Sequence, residues 1–271
     1  MGSFTSLLLA AALVAADPPA AAGDASAPDE PRSIEEEAKS GAGVSPVELI
    51  PRLELRQSFV QLASGATSHL TTTEIDIQFL DRLLLRYEGT LQTVSGPTGQ
   101  VSGFGDTEID AIGMVGATPR FVAVLIAGAV LDTASQPQLG AGKKQLVLGA
   151  GAALKPLRPW LAYFLVQEQA SIAGASARPD VNQLVARVGN IVFGPGFAWL
   201  KLDLDTVVDF AADQGRFFGK LEAGRLLVGR VGLFMRAGTQ LLGTRQVDYS
   251  LEAGVRYLFR LGKGNEAAQA R

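Results

Sequence analysis

The sequence predicts an all-β chain: a transmembrane antiparallel up-and-down β-barrel of about twelve strands, preceded by a mostly unstructured segment. Three observations carry that expectation. After Leu49, segments of about 10 to 12 residues alternate polar and apolar side chains, the length at which a tilted strand crosses a bilayer. The connections between them alternate as well, tight turns with longer loops rich in Gly, Ser, Gln and Pro. Aromatic residues gather at the strand ends, sorted by the kind of connection beside them.

Composition narrows the alternatives. A chain that is 47% hydrophobic and 19% charged is not disordered as a whole, and a net charge of −3 gives no basic field for nucleic-acid phosphate. With no cysteine and one histidine, His69, neither a disulfide framework nor a thiolate or transition-metal centre is expected, and no cofactor is implied.

Taken in order, residues 1–16 read as a signal peptide. The apolar run LLLAAALVAA over 7–16 is too short to span, and Val14-Ala15-Ala16 or Ala20-Ala21-Ala22 supplies a small-residue cleavage site, although MGSFTS carries no lysine or arginine. Residues 17–49, rich in Ala, Pro, Asp, Glu and Gly, read as a periplasmic linker, with a short helix where Ser33 and Glu36 resemble a capping box.

The barrel is expected over 50–259, with strands near 52–63, 70–80, 82–93, 105–116, 120–131, 144–154, 159–171, 181–193, 197–208, 216–227, 230–239 and 248–259. Short turns fall at 80–82, 117–119, 155–158, 194–196 and 228–229, and the intervening loops include VSGPTGQVSGFG and TASQPQLGAGKK. Phe79, Phe121, Trp160, Phe193, Phe197 and Phe259 lie at the short-turn end, and Phe210, Phe217 and Tyr249 at the long-loop end. An even strand number puts both termini in the periplasm, including a tail over 260–271.

If the apolar parity faces lipid, the lumen receives Arg52, Glu54, Arg56, Glu74, Asp76, Arg86, Glu88, Asp106, Glu108, Asp110, Lys201, Asp203, Asp205, Lys220, Glu222, Arg236, Glu252 and Arg256. A twelve-stranded wall is about 24 Å across before side chains are added, so these charges are expected to meet as ion pairs, the acids facing arginines of neighbouring strands. Two strands, FVAVLIAGAVL and QLVLGAGAAL, have no mid-strand charge. A solute route is expected beside Gly149, Gly151 and Ala153, with Trp199, Phe218 and Phe234 as apolar contacts; glycines at barrel bends are the equal alternative.

On the last strand, Glu252, Gly254, Tyr257 and Phe259 resemble the carboxy-terminal signal read by the barrel-assembly machinery. A wider resemblance rests on GFGDTEIDAIG at 103–113 and LDTASQPQLGAGKKQLVLGAG at 131–151. Gly103, Gly105, Asp106, Thr133, Ala134, Ser135, Gly140 and Gly142 match, and Asp132 stands where proline is usual. The pattern resembles the transporter family named for the meta-cleavage pathway of phenol degradation. That resemblance implies an outer-membrane barrel that moves small, often aromatic or apolar, molecules; its partners would be outer-membrane lipid and a small-molecule solute.

Two further readings stand beside a passive channel. One is a non-conducting structural or interaction barrel with a salt-bridge-filled lumen. The other is a lipid hydrolase using His69 and Thr71, two residues apart on one strand face.

Overall fold

The computed structural model describes residues 44–47, 49–97, 99–154, 159–228 and 230–259. The expected signal peptide, most of the linker with its short helix, and the tail lie outside the described residues. The strands are β1 (Arg52–Leu62), β2 (Thr67–Leu80), β3 (Leu83–Gly96), β4 (Gly99–Phe104), β5 (Thr107–Thr118), β6 (Phe121–Leu131), β7 (Lys143–Leu154), β8 (Trp160–Gly174), β9 (Asn182–Phe193), β10 (Ala198–Asp209), β11 (Gln214–Val228), β12 (Val231–Gly243) and β13 (Val247–Leu258). Each pairs antiparallel with its neighbours, and β13 returns to β1, so the sheet closes on itself. Because β4 and β5 both pair with the same edge of β3, they share one position, and the barrel is twelve-stranded.

The element β4 corrects the sequence reading, which assigned those residues to a long loop. Gly99 adopts φ 126°, a left-handed value open to glycine, and this turn folds Gly99–Phe104 back along β3 as a hairpin projecting past the barrel rim.

Alternation determines which face each residue occupies, and the usual inside–outside pattern is inverted. On β1, Arg52 and Glu54 are buried, whereas Leu53 and Leu55 are 41% and 50% exposed. The same holds on β10, where Lys201, Asp203 and Asp205 are buried and Leu200 and Leu202 exposed. An apolar outer belt over a charged interior is stable only where hydrocarbon replaces water outside. Phe79, Trp160 and Phe197 are exposed near the short turns, and Phe210 and Tyr249 near the long loops. Phe193 departs from the expected girdle: it packs inward against the buried cluster. Tyr257 and Phe259 stack with ring centroids 6.3 Å apart at the end of the last strand.

The interior has two tiers. Near the short turns, apolar side chains from β3 and from β5 through β13 meet in one cluster, among them Leu84, Ile112, Val124, Leu161, Ile191, Trp199, Phe234 and Leu258. Val44, Val47 and Leu49 belong to the same cluster. The segment before β1 therefore does not run away from the barrel as a linker to residue 49, as its neighbours in sequence suggested. It turns into the lumen, where an apolar tier accepts its Val and Leu side chains.

Candidate functional site

Beside the apolar cluster and on towards the long loops the lumen walls carry charge, beginning at Arg52, the first residue of β1 and the partner of Leu258. Arg52 contacts Glu74 at 2.6 Å and Asp76 at 3.1 Å, and Arg86 holds Asp76 through two bonds of 2.8 and 2.9 Å. Arg56 reaches Glu88 at 2.6 Å, and Arg256 reaches Glu54 at 2.5 Å. Across the barrel, Arg236 bridges Glu222 at 2.5 Å and Glu252 at 2.9 Å, Lys220 meets Asp205 at 2.8 Å, and Lys201 meets Asp203 at 3.3 Å. These charges were expected inside and are found there, mostly joined across neighbouring strands as register demands.

Sequence reading missed two members. Arg187 on β9 binds Asp205 at 2.6 Å, and Tyr163 on β8 donates its hydroxyl to Asp203. Arg187 was detectable, because it is the one basic residue on its strand and lies opposite Asp205 in register.

Asp106 does not join this network. It sits at the break between β4 and β5, and its carboxylate accepts the backbone amides of Ala141 at 2.7 Å and Ala134 at 3.4 Å. Thr133 donates to the Gly105 carbonyl at 3.2 Å, and the Ser135 amide donates to the Phe104 carbonyl at 3.0 Å. Side chains at Gly103 or Gly140 would meet Ser135 or Ala134 and Asp106. The residues carrying the family-like motif thus lock the loop after β6 onto the free edge of β4.

Glu108 and Asp110 line the lumen, but the arginine beside them pairs with another acid. Neither forms an ion pair among the described residues, and Asp110 Oδ1, buried, accepts no hydrogen bond. Arg86, opposite Asp110 in register, is committed to Asp76.

Gly149, Gly151 and Ala153 do face inward, yet the open route expected beside them is filled. A Cβ at Gly151 would lie 2.7 Å from Val47 Cγ1, one at Gly149 would lie 2.7 Å from Gln167 Cγ, and Ala153 is fully buried. The small residues make room for the incoming segment. Trp199 and Phe234 are buried as well, Trp199 donating to Glu222 at 2.8 Å, while Phe218 stands half-buried opposite Asp205.

Inward aromatics and glycines are matched. Tyr163 lies opposite Gly189, Trp199 opposite Gly224, and Phe234 opposite Gly254. In each case a side chain on the glycine would strike the ring. Glycine lets a large ring lie flat against the wall, a cross-strand device that keeps rings from crossing the lumen. Gly254, read from sequence as part of an assembly signal, has this packing role within the barrel. Arg256 lies 5.7 Å from the Trp199 ring centroid and 5.1 Å from that of Phe234, joining the tiers by cation–π contact.

Between the walls remains a cavity of about 420 Å³, lined by charged residues of both signs together with Val44, Pro46, Ile126 and Leu165. Outside the barrel, His69 packs edge-on against Phe59 at 5.0 Å, and the Thr71 hydroxyl donates to Gln57 at 2.7 Å. The two are not joined as base and nucleophile.

No family model matches the chain, and no curated protein matches it. Solved structures do. An outer membrane channel from Pseudomonas putida F1 aligns with a TM-score of 0.61 at 15% identity, over 78% of this chain and 94% of that one. NanC porin aligns at 0.55 with 6% identity, over 77% and 100%, and KdgM porin at 0.54 with 10% identity, over 77% and 99%. At such identities the shared property is the fold: a closed barrel of the outer-membrane type.

Proposed function

We propose that the chain is an outer-membrane channel for small molecules, closed at its short-turn end by residues 44–47 and 49–50. The observation that carries this reading is how those residues are held. They lie inside the wall, outside the strand ladder, against glycine and alanine on β7, and Lys201 Nζ donates to the Val44 carbonyl at 3.4 Å. A stopper bound by side-chain packing can leave without breaking a strand pair, and the cavity behind it is already polar. The folds of the porins and the Pseudomonas putida F1 channel support a transport role, and the motif at 103–142 supports the transporter family named for phenol meta-cleavage, with aromatic or apolar solutes as cargo.

On this reading residues 1–16 export the chain, both termini are periplasmic, and the assembly machinery reads Glu252, Gly254, Tyr257 and Phe259. Replacing Tyr257 and Phe259 together by alanine lowers membrane insertion, scored by heat-modifiable mobility.

The test is conductance of the refolded full chain in planar bilayers. Val47→Asp puts an unpaired carboxylate into the apolar tier, a penalty of about 3–5 kcal/mol against the inserted segment, which raises the open fraction by about a hundredfold or more from a closed baseline. A bilayer that stays sealed in Val47→Asp favours the salt-bridge-filled, non-conducting barrel.

A further inference from the structure

The cavity has one place where charge is left over. Of the acids that line it, Glu54, Glu74, Glu88, Asp203 and Glu252 each have a guanidinium or ammonium within 3.5 Å. Glu108 and Asp110, successive inward residues of β5, have none among the described residues. Asp110 is 2% exposed and its Oδ1 accepts no hydrogen bond. The nearest guanidinium, Arg86, stands opposite Asp110 on β3 but is held by Asp76 at 2.8 Å and Glu74 at 3.4 Å. On one side Glu108 faces Glu88, which Arg56 already holds; on the other, Val130 and Gly128 of β6 stand opposite Glu108 and Asp110.

Two adjacent carboxylates without a cation are costly in a buried wall, and the cost falls when a positive group docks on them. A hard divalent ion is a poor fit, because it needs six or more oxygen ligands, and no cluster of three metal-ligating side chains occurs among the described residues. The surroundings point elsewhere. These acids stand where the charged wall meets the uncharged one, and Ile126 and Leu165 line the same cavity. We propose that the lumen holds a site for an amphiphilic organic cation. Its protonated amine docks on the Glu108 carboxylate with Asp110 behind it as a second negative charge, and its apolar body lies against Ile126 and Leu165. A cavity of this volume is of the size that small-molecule sites occupy.

This inference names a solute class for the proposed channel, but binding can be measured whether or not the channel opens. Titration calorimetry of the refolded full chain in detergent, with benzylammonium, benzyl alcohol and benzoate as probes, tests it. Benzylammonium is expected to bind saturably, at least about tenfold more tightly than the alcohol, with no binding of benzoate. Glu108→Gln with Asp110→Asn removes the preference, and Ile126→Ala weakens both benzylammonium and alcohol; heat-modifiable mobility identifies folded variants. Should the double variant not fold, Asp110→Asn alone reduces the preference. Equal binding of ammonium and alcohol, or an unchanged preference in the folded carboxylate variants, overturns the site. Saturable, variant-sensitive binding in a chain whose Val47→Asp form never conducts supports the site and rejects the channel. Conduction without selective binding rejects the site alone.

Discussion

The apolar and charged tiers of the lumen are filled by opposite means. In the charged tier the filling is attached to the wall: Arg52, Arg86, Arg236 and Arg256 each reach a carboxylate on an adjacent strand, so the contents cannot leave without tearing register. In the apolar tier part of the filling is a guest. Val44, Val47 and Leu49 occupy space that Gly151 and Ala153 leave, outside the strand ladder. One barrel thus combines a permanent rigid filling with a removable one, and the difference locates rigidity and motion in different parts of one lumen.

Damage to the permanent filling has the largest expected effect. Arg256→Met leaves Glu54, with its side chain 2% exposed, lacking its closest cation, and is expected to destabilise the barrel by about 3–5 kcal/mol, read as a lower urea midpoint for unfolding from lipid bilayers. Next is the outer belt. Leu251→Arg costs about 2–4 kcal/mol near the membrane midplane, whereas arginine at inward Ser250 is far milder; equal tolerance at both positions in the same assay contradicts the facing assignment.

Smaller effects sharpen the boundary between the tiers. Gly189→Ala pushes the Tyr163 ring off the wall and loosens its bond to Asp203, at about 1–3 kcal/mol. Gly113→Ala, at a glycine with open space around it, serves as the control and changes the unfolding midpoint little. The smallest effect belongs to Asp106→Asn, which weakens the loop lock by about 1 kcal/mol and leaves the lumen pairs intact. Faster proteolysis within 132–142, with an unchanged unfolding midpoint, is its signature.

Much of this arrangement was legible in the sequence because a period of two assigns every residue on a strand to one face. The strands, their order and the inward position of Arg52, Glu54, Lys201 and Glu222 follow from alternation and adjacency alone. What alternation cannot carry is occupancy. That Val47 fills the space beside Gly151 depends on a segment with no period, whose neighbours are Pro, Gly and acids. Asp106 was misread for a related reason: its parity matches Glu108, but a strand break at Gly105 releases it to cap loop amides. Glu108 and Asp110 show the remaining gap, since register alone offered them Arg86, and only side-chain geometry reveals that Asp76 has taken it.

Removal of the stopper formed by residues 44–47 and 49–50 can be tested directly. The chain has no cysteine, so a pair introduced at Val47 and Gly151 is the sole route to a disulfide, and a Cβ at Gly151 would lie 2.7 Å from Val47 Cγ1, close enough to bridge without moving the backbone. Single-channel recording of Val47→Cys with Gly151→Cys, alternated between oxidant and reductant, reads the claim directly. The oxidised protein is expected to stay closed, and reduction to restore openings reversibly. Openings of equal frequency in both states, with the disulfide verified by mass, would contradict it.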